Sequence, residues 1–277
     1  MLLAGCPASE KANYETVKIT KSIDCAGEAF NKGKITELQI TASNVTIRRC
    51  KINGSIRTIG LGHNGEAPGV KASSTRLGHT DRAQAAAPKN TVFFAVTITG
   101  HGRIPLYLGP GTTNFTMYDS TIKGRSDSVA LYLDAESGFN IFRNNTFDIT
   151  GASREIIAVD GSASNQLLAN TIKQAPNGGI YFYRNCGEGG TVRHQVPQNN
   201  LIAGNSFNLT GLQWSAYGIW LGSRDGGRLY CSEDAGLPFG SSKNDNDFAD
   251  NNVIKDNVFT SSLRTIRDNG TNNKINR

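Results

Sequence analysis

Apolar residues from position 106 onward fall at alternate positions in short runs, and no long stretch shows helical spacing. The runs 106-LYLG-109, 131-LYLD-134, 157-IAVD-160, 180-IYFY-183 and 219-IWLG-222 each put apolar residues at their first and third places. A period of two predicts short strands with one face on a core, Leu106, Leu131, Ile157, Ile180 and Ile219 leading the inward set. A second pattern keeps step with the first. Asn140 to Phe147, Asn165 to Ile172, Asn200 to Phe207 and Asn252 to Phe259 all read N-x4-N-x-[F/I], and Asn44 to Ile52, Asn90 to Ile98 and Asn114 to Ile122 read N-x7-I. The copies from Asn90 onward begin at 90, 114, 140, 165, 200 and 252, so their spacing is 24, 26, 25, 35 and 52 residues.

A unit of about 25 residues with two or three short strands cannot bury its apolar side alone and must stack on copies of itself. Stacked rungs lie ~4.8 Å apart, which lets recurring asparagines form an amide ladder along the turn. The pattern therefore predicts an all-β solenoid, a parallel β-helix. The two enlarged spacings mark two long loop insertions, 187-GEGGTVRHQVPQ-198 and residues 223–250.

The coil length, the asparagine turns and the strand pattern resemble the right-handed parallel β-helix superfamily of pectate-lyase-like proteins over residues 15–275. That resemblance implies a single right-handed β-helix domain over 15–277. It also implies a group that includes polysaccharide lyases, glycoside hydrolases, uronate epimerases and phage tailspikes, among which the fold does not choose. The stretch 100-GHGR-103 resembles a short Gly-His-Gly element of pectin-type hydrolases. The Asn-Thr-Asp, Asp-Asp and Arg-Ile-Lys elements expected with it are absent in that arrangement, as is the Asp-Pro-His-Asp element of alginate epimerases, so no catalytic residue follows by motif.

Composition sharpens this only in part. The chain has 31 Gly and 27 Asn in 277 residues, which agrees with frequent turns. Its net charge of +6 carries no block of basic residues, so an anionic partner is favoured weakly and a nucleic-acid partner is not expected. The start, 3-LAGC-6, resembles a bacterial lipobox, with Cys6 as the lipidated residue and residues 1–14 as tether. The expectation is export, either to the cell envelope as a periplasmic or outer-membrane lipoprotein or as a secreted protein; the alternative is a chance match. Four cysteines then remain. Cys25 and Cys50 are one coil apart, and Cys186 and Cys231 each flank an insertion, which predicts Cys25–Cys50 and Cys186–Cys231 disulfides.

On the outward face of the strands the second places are Tyr107, Tyr132, Ala158, Tyr181 and Trp220. These form either a platform on which sugars stack or a small core under an insertion. Two places on, Asp134 and Asp160 occupy consecutive rungs. Such a pair suits acid and base work on a glycoside, a Ca2+ site, or an acidic ladder neutralised by arginine, with Arg154 a candidate. The crowded stretch 178-GGIYFYRNCGEGGTVRHQ-195 leaves the strand beside Asp160 and supplies a wall of Tyr183, Arg184, Arg193 and His194, joined by Arg224 and Asp225 from the second insertion. The leading expectation is an enzyme on an acidic polysaccharide working by β-elimination. Arg184 and Arg193 neutralise the uronate, and Tyr183 or His194 moves the protons. The alternatives are a hydrolase using Asp134 and Asp160, and a non-catalytic glycan-binding or envelope-structural protein. No cofactor is expected beyond the candidate Ca2+.

Overall fold

Left-handed backbone at two places in each coil turns the chain and makes the solenoid. In the central coils, Asn114, Phe139, Ser164, Asn199 and Asn251 have φ of 56 to 59°, and a second bend falls at Asp119, Asn144, Ala169, Gly204 and Asp256. Between the bends lie strands of two to six residues, such as Thr116–Tyr118, Thr121–Ser126 and Leu131–Leu133. Each pairs in parallel with the equivalent strand one coil on, as in Leu131↔Ile157 and Tyr132↔Ala158. The computed structural model describes residues 13–59, 78–186, 193–226 and 240–276, and over these the protein is a parallel β-helix of three long faces. We call them sheet A (including 106–108, 131–133, 157–160, 180–183 and 219–221), sheet B (including 116–118, 141–143 and 166–168) and sheet C (including 121–126 and 146–150).

Both asparagines of the N-x4-N repeat build ladders. The Asn140 amide donates to Asn165 Oδ1, Asn165 to Asn200 and Asn200 to Asn252, each at 2.9 Å. The second ladder runs Asn145, Asn170, Asn205, Asn257 at 2.9 to 3.0 Å. Each acceptor oxygen also takes a backbone N–H from the previous rung, as Asn170 Oδ1 does from Asn145 N. Buried bends thereby keep their polar groups satisfied, which an apolar turn could not do. The looser N-x7-I copies use asparagine differently. Asn114 aligns with Phe139, one place before the ladder, and occupies the left-handed bend itself, which asparagine tolerates better than most residues.

Inside, stacked columns of side chains fill the bore. Phe93, Met117, Phe142 and Leu167 stack in one column, with the Phe115 ring beside it 4.9 and 5.7 Å from those of Phe93 and Phe142, and Leu106, Leu131, Ile157, Ile180 and Ile219 are buried in another. Each such side chain contributes about 1.5–3 kcal/mol of burial. The strand Lys51–Thr58 serves sheet C with its first half and sheet A with its second, bending at Gly54. There φ is 139°, and a Cβ would lie 1.9 Å from the Thr36 carbonyl oxygen.

Cys25 and Cys50 are bonded, 25 residues and one rung apart, as the spacing predicts. Cys186 is also disulfide-bonded, while its expected partner Cys231 lies outside the described residues, as do Cys6 and the expected tether up to residue 12. Among the described residues no helix is long and apolar enough to cross a membrane. One element was not foreseen. Between strands Lys51–Thr58 and Val92–Phe94 lies an α-helix, His79–Ala86. Alanines favour it, Asp81 sits in its first turn, and Pro88 follows its end.

Candidate functional site

Sheet A places Arg57, Tyr107, Tyr132, Ala158, Tyr181, Trp220 and Arg267 in one outward column, one per rung. The column is covered over most of its length. Tyr107, Tyr132 and Tyr181 are only 6 to 8% exposed and pack with Val129, Ala158 and Tyr183 as a small second core. Guanidinium groups lie on the rings, Arg57 at 4.8 Å from Tyr107 and Arg154 at 5.9 Å from Tyr132. An open sugar platform over Tyr107 and Tyr132 is therefore replaced by the covered arrangement, because long side chains from neighbouring turns fold over the aromatic faces.

Asp134 and Asp160 meet as the register requires, but Arg193 fills the space between them. Its Nη2 lies 3.2 Å from Asp134 Oδ1 and 2.7 Å from Asp160 Oδ2. Tyr107 donates its hydroxyl to Asp134 and Tyr132 donates to Asp160 at 2.6 Å, while Asn185 gives Asp160 both a backbone and a side-chain N–H at 2.8 Å. Burial raises the pKa of Asp134, opposed by Arg193. A guanidinium thus lies between the two carboxylates, where the candidate Ca2+ was expected, and both carboxylates are enclosed and hydrogen-bonded. The neutralising residue is Arg193 rather than Arg154.

The other wall residues are also engaged in holding the insertions. Tyr183 is fully buried; its hydroxyl donates to Glu155 Oε1 at 3.1 Å and accepts from Arg154, and Arg224 lies 4.1 Å over its ring. Burial, with Glu155 adding to it, holds the Tyr183 phenol well above its ordinary range, so it is a poor base. Arg184 donates to Asn246 O and Asn244 Oδ1, each at 2.8 Å, instead of facing a ligand. Arg224 donates to Asn185 Oδ1, and Asp225 Oδ1 accepts the Asp247 N–H at 2.7 Å. His194 gives its backbone N–H to Glu136 at 2.5 Å, and its ring lies 4.4 Å from that of His79. Gly161 has φ of +59° and lies so close under Arg193 that a Cβ there would be 2.6 Å from Arg193 Cγ. The crowding at Tyr183–Asn185 and Arg193–Gln195 is therefore a polar fastening between insertion and solenoid.

The column opens at Trp220. Its ring is half-buried, edge-on to Tyr181 at 5.4 Å and to Tyr217 at 5.2 Å, with Arg267 at 4.5 Å over its face. Beside it is a cavity of about 210 Å3 lined by Ser153, Arg154, Asn177, Tyr181, Gln213 and Trp220. Trp214, in the turn that supplies Gln213 and Ser215 to this cavity, is 83% exposed. The turn is anchored by Gln213 N–H donating to Pro176 O at 2.8 Å and by Arg264 donating to Gln213 O at 3.0 Å. Trp220 Nε1 is buried without a hydrogen-bond partner among the described residues. The Tyr181 pKa is pushed up to about 12 by burial, so the phenol keeps its proton and can donate outward while accepting from Tyr217 N–H at 3.0 Å.

Of the expected residues, then, Tyr181 and Trp220 line this cavity. Trp214, Tyr217, Asn177, Gln213 and Arg267 were not foreseen. A signal was present in 212-LQWSAYGIW-220, three aromatics within nine residues around a strand start. Comparison with protein-family models, curated proteins and solved structures finds no match to this chain.

Proposed function

We propose that the protein binds an acidic glycan without cleaving it, seating one sugar in the cavity beside Trp220. The observation that carries this is the cavity itself, which combines the half-buried Trp220 with Tyr181, Arg154 and side-chain amides, while Trp214, an 83% exposed indole, stands in the adjoining turn. Indole faces stack on the apolar face of a pyranose, amides and hydroxyls pair with its ring of hydroxyls, and a guanidinium selects a carboxylate. A volume of about 210 Å3 is below the range of drug-sized pockets and suits a single ring. Binding is favoured over elimination or hydrolysis because Asp134, Asp160, Tyr183, Arg184 and Arg193 are enclosed and hydrogen-bonded to the protein. The resemblance to pectate-lyase-like solenoids fits a carbohydrate ligand. Export fits the Cys25–Cys50 disulfide, and lipidation at Cys6 would tether the site to a membrane.

Of the chain's two tryptophans, Trp220 lines this cavity and Trp214 lies in the adjoining turn, so intrinsic fluorescence reports on it. Titration with uronic-acid oligomers should change the emission saturably, neutral oligomers should do so more weakly, and Trp214→Ala should weaken binding roughly tenfold, about 1.4 kcal/mol. Unsaturated products absorbing in the ultraviolet would overturn the non-catalytic reading. The absence of any glycan response would overturn the reading altogether.

A further inference from the structure

The cavity does not stand alone. It lies at one end of a line of turns that connect sheet C to sheet A, and the turns are stitched to one another. Ser153 Oγ donates to Asp127 O at 2.7 Å, Asn177 Nδ2 donates to Ala152 O at 2.7 Å, and Gln213 N–H donates to Pro176 O at 2.8 Å. This makes one continuous edge from the turn at 127 to the turn at 213. On the side away from Trp214, three consecutive coils each bring an arginine to this edge: Arg154 in its turn, Arg125 near the end of strand Thr121–Ser126, and Arg103 just after strand Thr97–Gly102. Their side chains are 30, 48 and 46% exposed.

The three belong to one surface. A Cβ at Gly102, next to Arg103, would lie 2.9 Å from Asp127 Oδ2 and 3.9 Å from Arg125 Nη2. A Cβ at Gly151, three residues before Arg154, would lie 3.3 Å from Arg125 Cγ. Arg125 is therefore flanked on both sides by the turns that carry its neighbours. Each arginine has an acid beside it, Glu155, Asp127 and Glu37 respectively. Arg125–Asp127 is exposed on both sides and contributes little, whereas Glu155 and Glu37 are buried; a guanidinium has five donors, so a ligand carboxylate can replace Asp127 and share Arg154 and Arg103 with their partners.

Resting on the glycan-binding reading, we infer that the ligand is an internal stretch of a polymer of consecutive acidic sugars, laid along this edge from Trp214 toward Arg103. Rungs advance by ~4.8 Å, close to the advance of one pyranose along an extended chain, so successive carboxylates meet Arg154, Arg125 and Arg103 in turn. The stitched turns hold these groups in place before the ligand arrives, and subsites linked by the ligand's own backbone reinforce one another.

The test is a length series of uronic-acid oligomers from one to six units, with affinity read by tryptophan fluorescence and calorimetry. Affinity should rise through about four units and then level, the hexamer binding at least ~tenfold more tightly than the monomer. In an Arg103→Ala/Arg125→Ala variant, shown by circular dichroism to be folded, the ratio of hexamer to monomer affinity should fall to about threefold or less. Neutral oligomers should show no comparable gain with length. A hexamer that binds no better than the monomer, an unchanged ratio in the double variant, or an equal gain for neutral oligomers would overturn the path along the edge. The Trp220 cavity would survive any of those results and would fail only if no uronate bound at any length.

Discussion

Arg193 is where the chemistry of the central rungs is decided. With its guanidinium in place, Asp134 and Asp160 are a satisfied triad; without it they are two like charges enclosed at 0 to 2% exposure. Replacing Arg193 by Met should therefore destabilise the protein by about 3–5 kcal/mol in urea unfolding, and adding Asp134→Asn and Asp160→Asn should recover much of that loss. An equal loss in the triple variant would assign the effect to packing alone. Glu136 gives a second test. Burial holds its pKa at about 7 against 4.5, while burial and the neighbouring His194 and Arg82 hold His79 at about 4 against 6.5. The Glu136 contribution is fully present below pH 4.5 and lost as pH rises through 7; that of His79 is present above pH 6.5 and lost as pH falls through 4. The two slopes oppose each other between pH 4.5 and 6.5. Glu136→Gln removes the first, so variant stability relative to the parent should climb by ~3 kcal/mol between pH 4.5 and 7. Urea midpoints at those two pH values check this. At this scale the sequence was half legible. A period of two places Tyr132, Asp134, Asp160 and Tyr183 on one face and beside one another. It carries no information about what folds over that face, which depends on where Arg193 lands after an excursion of the chain.

Among the elements, the asparagine turns were the most readable feature, because the ladder demands the same side chain at the same place in every coil. Asn170 sits mid-ladder, accepting from the Asn145 side chain and backbone and donating to Asn205. Asn170→Ala leaves those buried donors unpaired and should cost about 2–4 kcal/mol, seen as a lower urea midpoint. The first coil is closed by Cys25–Cys50, whose 25-residue loop stabilises by roughly 3 kcal/mol through chain entropy. The double serine variant should lose about that much, and its loss should appear first as faster hydrogen exchange in Thr36–Ile40. The helix His79–Ala86 escaped notice because eight residues show barely two turns of periodicity. Its tertiary ties, Thr80 and Gln84 to Glu136, come from sequence positions more than fifty residues away.

For the molecule as a whole, stability is a sum over rungs and their interfaces, each rung touching its two neighbours. Backbone amides of Leu131–Leu133 and Ile157–Asp160 should therefore exchange slowest, and those of Glu15–Ile19 and Lys274–Ile275 fastest, in a graded profile. A single uniform protection factor would contradict this. The architecture was legible because repetition restates one solution many times, so errors in any one copy are corrected by the rest. The open cavity was not, because it is assembled from turns, where side chains answer to no repeat.

The ladders have a consequence for how such a chain can change length. Residues 140–164 form one complete coil, from one ladder asparagine to just before the next, and every bond Asn140 accepts or donates has its counterpart at Asn165. Excising that block would let Asn165 meet Phe115 in the place of Asn140, so the backbone treats a coil as a removable spacer. The side chains do not. Arg193 reaches across two rungs at once, and a chain shortened by one coil would present it with a single carboxylate. The number of coils is thus free in the scaffold but counted at the insertion, which acts as a gauge of solenoid length.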